Sequence, residues 1–298
     1  MAGLGQNWVE APERPEFAYS IAVVGDPQVI SERYAEHYGG IFSYISDKWQ
    51  EDRTELAIVL GDITERSRPE EWELARNAFS AWREKELPFV LIPGNPYHDR
   101  APLYNEHMGE FVRAHCDGLY DEADVCNWYR LQTIGQTDYL FLALDFGPDD
   151  DVLRWADGVC EQYPERRVIV VTHGYLNNGG TLLKRGEDYV CDGGMAYHGA
   201  KNGGIEMWDK CFSKHNNIVM VLCGHVGENG VEHNVRIGQH GNRVVEMLID
   251  PQDIDDQVMP TGMVATLFFS ADGKQVTVHN YSTIQKRYYG APFTVELE

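Results

Sequence analysis

Short apolar runs recur along the chain, and each of them stops at a polar side chain. Five such runs, VVGD, LAIVLGD, FVLIPGN, RVIVVTH and NIVMVLCGH, end in Asp26, Asp62, Asn95, His173 and His225. An apolar run of this length, bounded by glycine and polar residues, is typical of a strand that is buried on both faces. The pattern therefore predicts five buried strands, each followed by a side chain able to bind a ligand.

Helical spacing separates these strands. In three segments apolar residues recur every three or four positions, which places them on one face of a helix. The three faces contain Tyr34, Tyr38, Ile41 and Ile45; Trp72, Ala75, Phe79 and Trp82; and Ile205, Trp208 and Phe212. YLFLALD (139–145) and the following DVLRWADGVCEQY add another strand and helix. This alternation predicts an α/β fold in which helices cover the faces of the sheets.

The C-terminal part of the chain has a different pattern. RVVEMLID, GMVATLFFS and KQVTVHNYS predict strands with no helix between them, and ADGK predicts a hairpin turn. We expect these strands to form a second, partly antiparallel sheet. The segments 98–137 and 177–204 match neither pattern, and we expect them to be long loops that wall a site.

Composition narrows the classes of function. The chain has 298 residues, and we expect a single domain over 1–298. Its 25 basic and 47 acidic residues give a net charge of −22, which disfavours a nucleic-acid partner. No apolar run approaches the roughly 18 residues of a membrane span, and the N-terminus lacks a secretory pattern. We expect a soluble protein without a membrane partner, with a cytoplasmic location favoured and the oligomeric state left open.

The polar strand ends predict a metal centre. Asp26 alone has an ordinary interpretation as a turn residue whose carboxylate accepts a hydrogen bond from its own backbone. In open α/β sheets, however, ligands bind where the carboxyl ends of the strands meet. Carboxylate and amide oxygens bind hard cations, and imidazole suits zinc and iron. Five such side chains at strand ends therefore indicate a site for divalent cations, and Asp145, at the end of YLFLALD, is a further candidate.

The order of these motifs resembles that of the calcineurin-like metallophosphoesterases. That superfamily reads Asp-x-His, Gly-Asp, Gly-Asn-His, a lone His and Gly-His-x-His, each at a strand end. Here the corresponding places are held by Asp26-Pro27-Gln28, Gly61-Asp62, Gly94-Asn95, His173 and Gly224-His225-Val226-Gly227. Gln in the first motif is similar to a bacterial branch of the superfamily. The resemblance implies a two-sheet β-sandwich flanked by helices, in four layers α/β/β/α.

The resemblance also implies roles for these residues. Two divalent metal ions, of manganese, zinc or iron, would be bound with Asp62 between them. The first ion would be held by Asp26 and Gln28, and the second by Asn95, His173 and His225. The implied function is hydrolysis of a small phosphomonoester or phosphodiester substrate by a metal-bridging hydroxide.

Two departures concern the metal ligands. Gln28 stands in place of a histidine, and Gly227 stands where the second histidine of the last motif would be. Either His233 or His240 is a candidate to replace that missing ligand. Pro27 biases the residue before it towards extended backbone, so we expect an extended turn that points the side chains of Asp26 and Gln28 at the cations.

A third departure concerns the acid catalyst. Two extra residues, Pro96 and Tyr97, separate Asn95 from a His-Asp pair. We propose His98 as the general acid, because an imidazole remains in the same loop and imidazole is the side chain most often used for proton transfer. These departures leave two alternatives open: a catalytically silent relative that serves as a binding or scaffold protein, and an enzyme of the same fold that acts on another bond.

Overall fold

A computed structural model describes residues 7–99, 101–185, 202–227, 230–251 and 261–298. In chain order its strands are β1 (Trp8–Val9), β2 (Tyr19–Val24), β3 (Thr54–Val59), β4 (Phe89–Leu91), β5 (Gly118–Asp121), β6 (Asp124–Ile134), β7 (Thr137–Ala143), β8 (Arg167–Val171), β9 (Ile218–Cys223), β10 (Gly230–Ile237), β11 (Arg243–Asp250), β12 (Met263–Phe269), β13 (Gln275–Ser282), β14 (Arg287–Tyr289) and β15 (Phe293–Glu296). Its helices are α1 (Gln28–Arg33), α2 (Ala35–Lys48), α3 (Pro69–Glu84), α4 (Ala101–Arg113), α5 (Asp150–Gln162) and α6 (Gly204–Lys210), followed by a 3-10 turn at Phe212–Lys214. Within these ranges no helix is both long enough and apolar enough to cross a membrane.

The strands form two mixed sheets. The 8-stranded sheet has the order β1-β14-β13-β12-β2-β3-β4, with β15 paired to β13, and the 7-stranded sheet has the order β10-β11-β9-β8-β7-β6-β5. Parallel pairing joins β2, β3 and β4 in the first sheet and β7, β8, β9 and β11 in the second. The two sheets with their flanking helices confirm the predicted α/β sandwich.

Strand β7 shows how the layers are stacked. Tyr139 and Phe141 belong to the core shared with the first sheet, while Leu140 and Leu142 belong to the core shared with α5 and α6. The hydroxyls of Tyr19 and Tyr139 form a 2.6 Å hydrogen bond between the sheets. Because successive side chains of a strand point to opposite faces, a strand covered on both faces must be apolar throughout. Each fully buried aliphatic or aromatic side chain stabilises the fold by about 1.5–3 kcal/mol.

The prediction of a long loop over 98–137 is wrong. Helix α4 and strands β5 and β6 occupy most of this segment. Tyr104, Met108, Phe111 and Val112 form the buried face of α4, and their helical spacing is readable in the sequence. Of the second predicted loop, 177–204, residues 186–201 lie outside the described part of the chain.

The prediction that the C-terminal strands form their own sheet is also wrong. β11 pairs in parallel with β9 of the second sheet, whereas β12 pairs antiparallel with β2 and begins the extension of the first sheet. The parallel strands β2 and β9 each need a partner on their remaining edge, because unpaired backbone groups at a buried edge are costly. The hairpin predicted at ADGK joins β12 to β13, with Gly273 at φ 66°.

Candidate metal centre

Three of the predicted ligands lie in sharp turns directly after their strands. Asp26, Asp62 and His225 have φ values of 43°, 46° and 77°, in the left-handed region that residues other than glycine rarely adopt. Such strain is concentrated at functional sites, where the surrounding structure holds it. The prediction of an extended turn at Asp26 is therefore wrong. Asp26 is in the left-handed region, and Gln28 begins helix α1.

Two glycines allow these turns to approach one another. A Cβ atom on Gly94 would lie 1.8 Å from Oδ1 of Asp62, and one on Gly224 would lie 2.1 Å from Oδ1 of Asp26. Gly94 follows β4 of the first sheet, and Gly224 follows β9 of the second. The carboxyl ends of strands from both sheets therefore meet at this point. Only glycine fits at these two contacts.

Asp62 lies at the centre of the cluster. Its Oδ1 accepts a 2.9 Å hydrogen bond from the backbone N–H of Asn95 and lies 3.3 Å from Nε2 of His173. Its Oδ2 accepts hydrogen bonds from the amides of Gln28 (3.1 Å) and Asn95 (3.4 Å). The side chain is 3% exposed. One carboxylate thus contacts predicted ligands of both metal positions.

The charges of the cluster are strongly coupled. Burial acts to raise the pKa of Asp62, but the imidazole of His173 and other nearby histidines outweigh it and hold this pKa below its ordinary value. Burial acts to lower the pKa of His173, and the carboxylate of Asp62 reverses that effect and raises it. Burial, then Asp250 and Asp62, raise the pKa of Asp26 well above its ordinary value. The region of Asp26 therefore has excess negative charge.

The rings of the two predicted histidine ligands, His173 and His225, lie together in the cluster. Nδ1 of His173 lies 2.7 Å from the carbonyl oxygen of Leu60, which accepts its proton, so the neutral ring has its lone pair on Nε2. The rings of His173 and His225 lie 4.9 Å apart, and the ring of Phe146 packs against both. Asp62, His173 and His225 offer ligand atoms that all lie within 4.8 Å of one another.

The polar atoms of the cluster fit divalent cations. Oδ1 of Asp26, Oε1 of Gln28 and Nε2 of His173 are buried and have no hydrogen-bond partner in the described part of the chain. Buried polar atoms in native proteins are nearly always hydrogen bonded. All three atoms carry lone pairs, and oxygen and imidazole donors of this kind suit manganese, zinc or iron.

The structure places the predicted acid, His98, at the edge of the same cluster. Its Nε2 lies 3.8 Å from Oδ2 of Asp62, and its Nδ1 lies 2.7 Å from the carbonyl oxygen of Glu65. The Glu65 carbonyl accepts the Nδ1 proton, which leaves Nε2 as the nitrogen facing the centre. The two residues inserted after Asn95 thus leave an imidazole near the site, and its catalytic role stays a prediction.

Sequence reasoning missed the role of Asp99. This buried carboxylate accepts hydrogen bonds from the backbone N–H groups of Ile63 (2.8 Å), Thr64 (2.9 Å) and Gly94 (3.0 Å). It therefore ties the turn after β3 to the turn after β4. Burial, with the nearby Asp62, raises its pKa to about 6. The sequence signal that could have indicated this role is the position of Asp99 directly after His98, in the loop that follows Asn95.

The histidines offered as replacements at position 227 lie elsewhere. The ring of His233 stacks on Phe293 with centroids 4.3 Å apart, and Nε2 of His240 lies 2.9 Å from the carbonyl oxygen of Lys214. Asp250 lies beside Gly227 instead, because a Cβ built on Gly227 would lie 2.8 Å from both carboxylate oxygens of Asp250. These contacts place neither His233 nor His240, the two candidates that the sequence left open, beside Gly227.

The chain belongs to the calcineurin-like phosphoesterase family, whose model matches residues 19–229. The match contains every predicted ligand, and members of this family of phosphoric ester hydrolases generally use divalent metals. Among curated proteins, the chain is similar to YvnB of Bacillus subtilis, with 22% identity over 286 residues, which are 91% of this chain and 20% of that protein. The chain thus spans about a fifth of the length of this relative.

Solved structures of low sequence identity resemble the chain. GAP50, the anchor in the inner membrane complex of Plasmodium, has 11% identity and a TM-score of 0.49, covering 95% of this chain and 90% of its own. The sulfate thiohydrolase SoxB of Thermus thermophilus has 9% identity and a TM-score of 0.48, covering 92% of this chain and 58% of its own.

Proposed function

We propose that this chain is a two-metal phosphoesterase that hydrolyses a small phosphomonoester or phosphodiester. The observation that carries the proposal is the buried position of Asp62 among the other predicted metal ligands. Gln28 and Asn95 donate hydrogen bonds to its carboxylate, and His173 and His225 offer ring nitrogens within 4.8 Å of it. Two cations bound there would activate a water molecule for in-line attack and offset the charge of the phosphoryl group.

The protein's own residues set the geometry of this reaction. The 2.7 Å contact of His173 with the Leu60 carbonyl fixes its ring, and the backbone N–H of Asn95 fixes the carboxylate of Asp62. Such contacts hold ligands in place before substrate arrives and reduce the reorganisation needed in the reaction. His98 would donate a proton from Nε2 to the leaving oxygen as the ester bond breaks.

A cleft beside the candidate metal centre favours a small substrate. Its lining includes Gly94, Pro96, Asp145 and Phe146. Gly94 contacts Asp62, and Phe146 packs on the two histidine rings, so the cleft opens next to the predicted ligands. The acidic chain as a whole repels polyanions, which favours a single phosphate group drawn to local metal charge over nucleic acid.

The catalytically silent alternative has little support from the site. It rested on the altered loop after Asn95 and on the missing histidine at Gly227. His98 nevertheless lies 3.8 Å from Asp62, and the carboxylate of Asp250 lies beside Gly227. An imidazole and a carboxylate thus lie near the two altered positions, which favours an enzyme over a silent relative.

The test is turnover of generic aryl phosphate esters by the purified chain. We expect hydrolysis of an aryl phosphate monoester or diester that requires bound divalent metal, stops with chelator and returns when metal is restored. Metal content is measured on the same sample. A chain that binds two metal ions and hydrolyses neither class of ester would contradict the proposal.

A further inference from the structure

Asp250 lies where the superfamily pattern would place a histidine. That pattern puts a second imidazole at position 227, and here the residue is Gly227. A Cβ built on Gly227 would lie 2.8 Å from Cγ, Oδ1 and Oδ2 of Asp250. The carboxylate thus occupies the space that a side chain at 227 would enter. The glycine and the aspartate are complementary in size.

The fold brings Asp250 to the centre from a distant part of the chain. Strand β11 pairs in parallel with β9, with Leu248 beside Cys223, so Asp250 at the end of β11 and His225 just after β9 lie at the same edge of the sheet. A Cβ on Gly25 would lie 1.9 Å from the carbonyl oxygen of Ile249. The backbone just before Asp26 therefore touches the backbone just before Asp250.

The buried carboxylates of Asp26 and Asp250 need a positive charge near them. Asp26 is 3% exposed and Asp250 is 1% exposed. The carboxyl group of Asp250 is a close neighbour of that of Asp26, and Asp62 adds a further negative charge nearby. Carboxylates buried side by side repel unless a proton or a cation lies between them. A divalent cation offsets this repulsion and also provides a partner for the unsatisfied Oδ1 of Asp26.

We propose that Asp250 is a metal ligand that replaces the missing histidine at the position also formed by Asp26, Gln28 and Asp62. The inference rests on the proposed two-metal function and extends it, because the family match ends at residue 229 and does not include Asp250. The first position then has oxygen ligands alone, three of them carboxylates. Oxygen-only sites favour manganese or magnesium over zinc.

The first experiment counts manganese ions without any substrate. Equilibrium dialysis against Mn²⁺, followed by metal analysis, is applied to the wild type and to Asp250→Asn. We expect two ions per wild-type chain, and loss of one or an affinity weakened by at least about tenfold in the variant. The matched control is Glu246→Gln on the same strand, a buried acid whose carboxylate instead contacts Tyr175 and Arg236. This control should keep both ions.

The second experiment exchanges the two side chains. Gly227→His alone should lose the first ion, because the imidazole and Asp250 compete for one space. Gly227→His combined with Asp250→Ala should recover the ion with a nitrogen ligand, visible as ¹⁴N coupling to bound Mn²⁺ in pulsed electron paramagnetic resonance. Melting temperatures of the metal-free proteins check folding, and Asp250→Asn should melt no lower than wild type because one of two like buried charges is removed.

Either of two results overturns the inference. One is an Asp250→Asn protein that binds both ions with wild-type affinity, and the other is a wild-type chain that binds only one ion. Because no substrate is present, the result is separate from the proposed function. Suppose that the wild type binds two ions, that Asp250→Asn binds one, and that neither hydrolyses a phosphate ester. This result would contradict the proposed phosphoesterase function and would still support Asp250 as a metal ligand.

Discussion

Oδ1 of Asp62 lies 3.3 Å from Nε2 of His173, although these two residues follow strands of different sheets. Both side chains are almost completely buried. The contact therefore depends on how the two sheets pack, and neither local motif determines it. The carboxylate also contacts Gln28 and Asn95, so we expect a change at Asp62 to affect both proposed metal positions at once.

We expect Asp62→Asn to lower ester turnover by at least about 100-fold with little change in folding. The amide oxygen can still accept the hydrogen bond from the Asn95 N–H, but the charge shared by the two positions is lost. Turnover, metal content and the melting temperature of the metal-free protein are measured together. The control is Asp47→Asn on the exposed surface of α2. Wild-type activity in a folded Asp62→Asn protein would refute the two-metal interpretation.

A general acid has its largest effect on esters with poor leaving groups. We expect His98→Gln to slow an alkyl or phenyl ester by about 100-fold or more, and a nitrophenyl ester much less, because general acids contribute about 100- to 10,000-fold. The measurement is the slope of turnover against leaving-group pKa in wild type and variant. Equal slopes would show that His98 is not the acid.

The two metal positions should differ in affinity. The position with His173 and His225 combines imidazole and carboxylate ligands, which hold zinc or iron more tightly than oxygen ligands alone. We expect one ion to survive purification there, while the ion beside Asp26 and Gln28 exchanges and is restored by added manganese. Metal analysis and anomalous scattering check this. A tighter ion at the Asp26 position, bound by an imidazole, would contradict the prediction.

Gly94 should not tolerate a methyl group. A Cβ at this position would lie 2.2 Å from the backbone nitrogen of Asp62, so Gly94→Ala must displace the ligand turn. Overpacking of this kind costs about 1–3 kcal/mol, and we expect lower metal content and a lower melting temperature. Gly158→Ala in α5 is the matched control, because its Cβ meets nothing within 4 Å. It should stabilise the fold by up to about 1 kcal/mol. Equal melting temperatures for the two variants would contradict this prediction.

His115 should make the fold sensitive to acid. Burial lowers the pKa of His115 in the folded state. In the unfolded chain a histidine has a pKa of about 6.5, so the unfolded chain binds this proton more readily. Stability is therefore complete above about pH 6.5 and falls as the pH decreases below it. Urea unfolding at several pH values should show a smaller acid loss in His115→Gln than in wild type. The exposed His240→Gln should behave as wild type, and an unchanged pH dependence in His115→Gln would contradict the prediction.

The sequence alone determined the five buried strands, the helices that alternate with them and the side chains that end these strands. Buried parallel strands must be apolar throughout, and the turns that follow them need glycine and short polar residues, so Asp26, Asp62 and His173 are readable from neighbouring residues. The order of these motifs was also sufficient to indicate the family, which the match over 19–229 bears out. Helix α4 was readable in the same way and was missed because its loop-like flanks obscured the spacing of Tyr104, Met108 and Phe111.

Only the tertiary structure decided which distant side chains meet. The sequence offered His233 and His240 beside Gly227, because both are imidazoles close along the chain. Strand pairing instead places Asp250 there, since β11 lies parallel to β9 and ends at the same edge. Pairing partners are chosen by the packing of whole strands and the satisfaction of their backbone hydrogen bonds, which are long-range properties. A ligand set that spans two sheets is therefore fixed by packing, whereas each ligand's own turn is fixed locally.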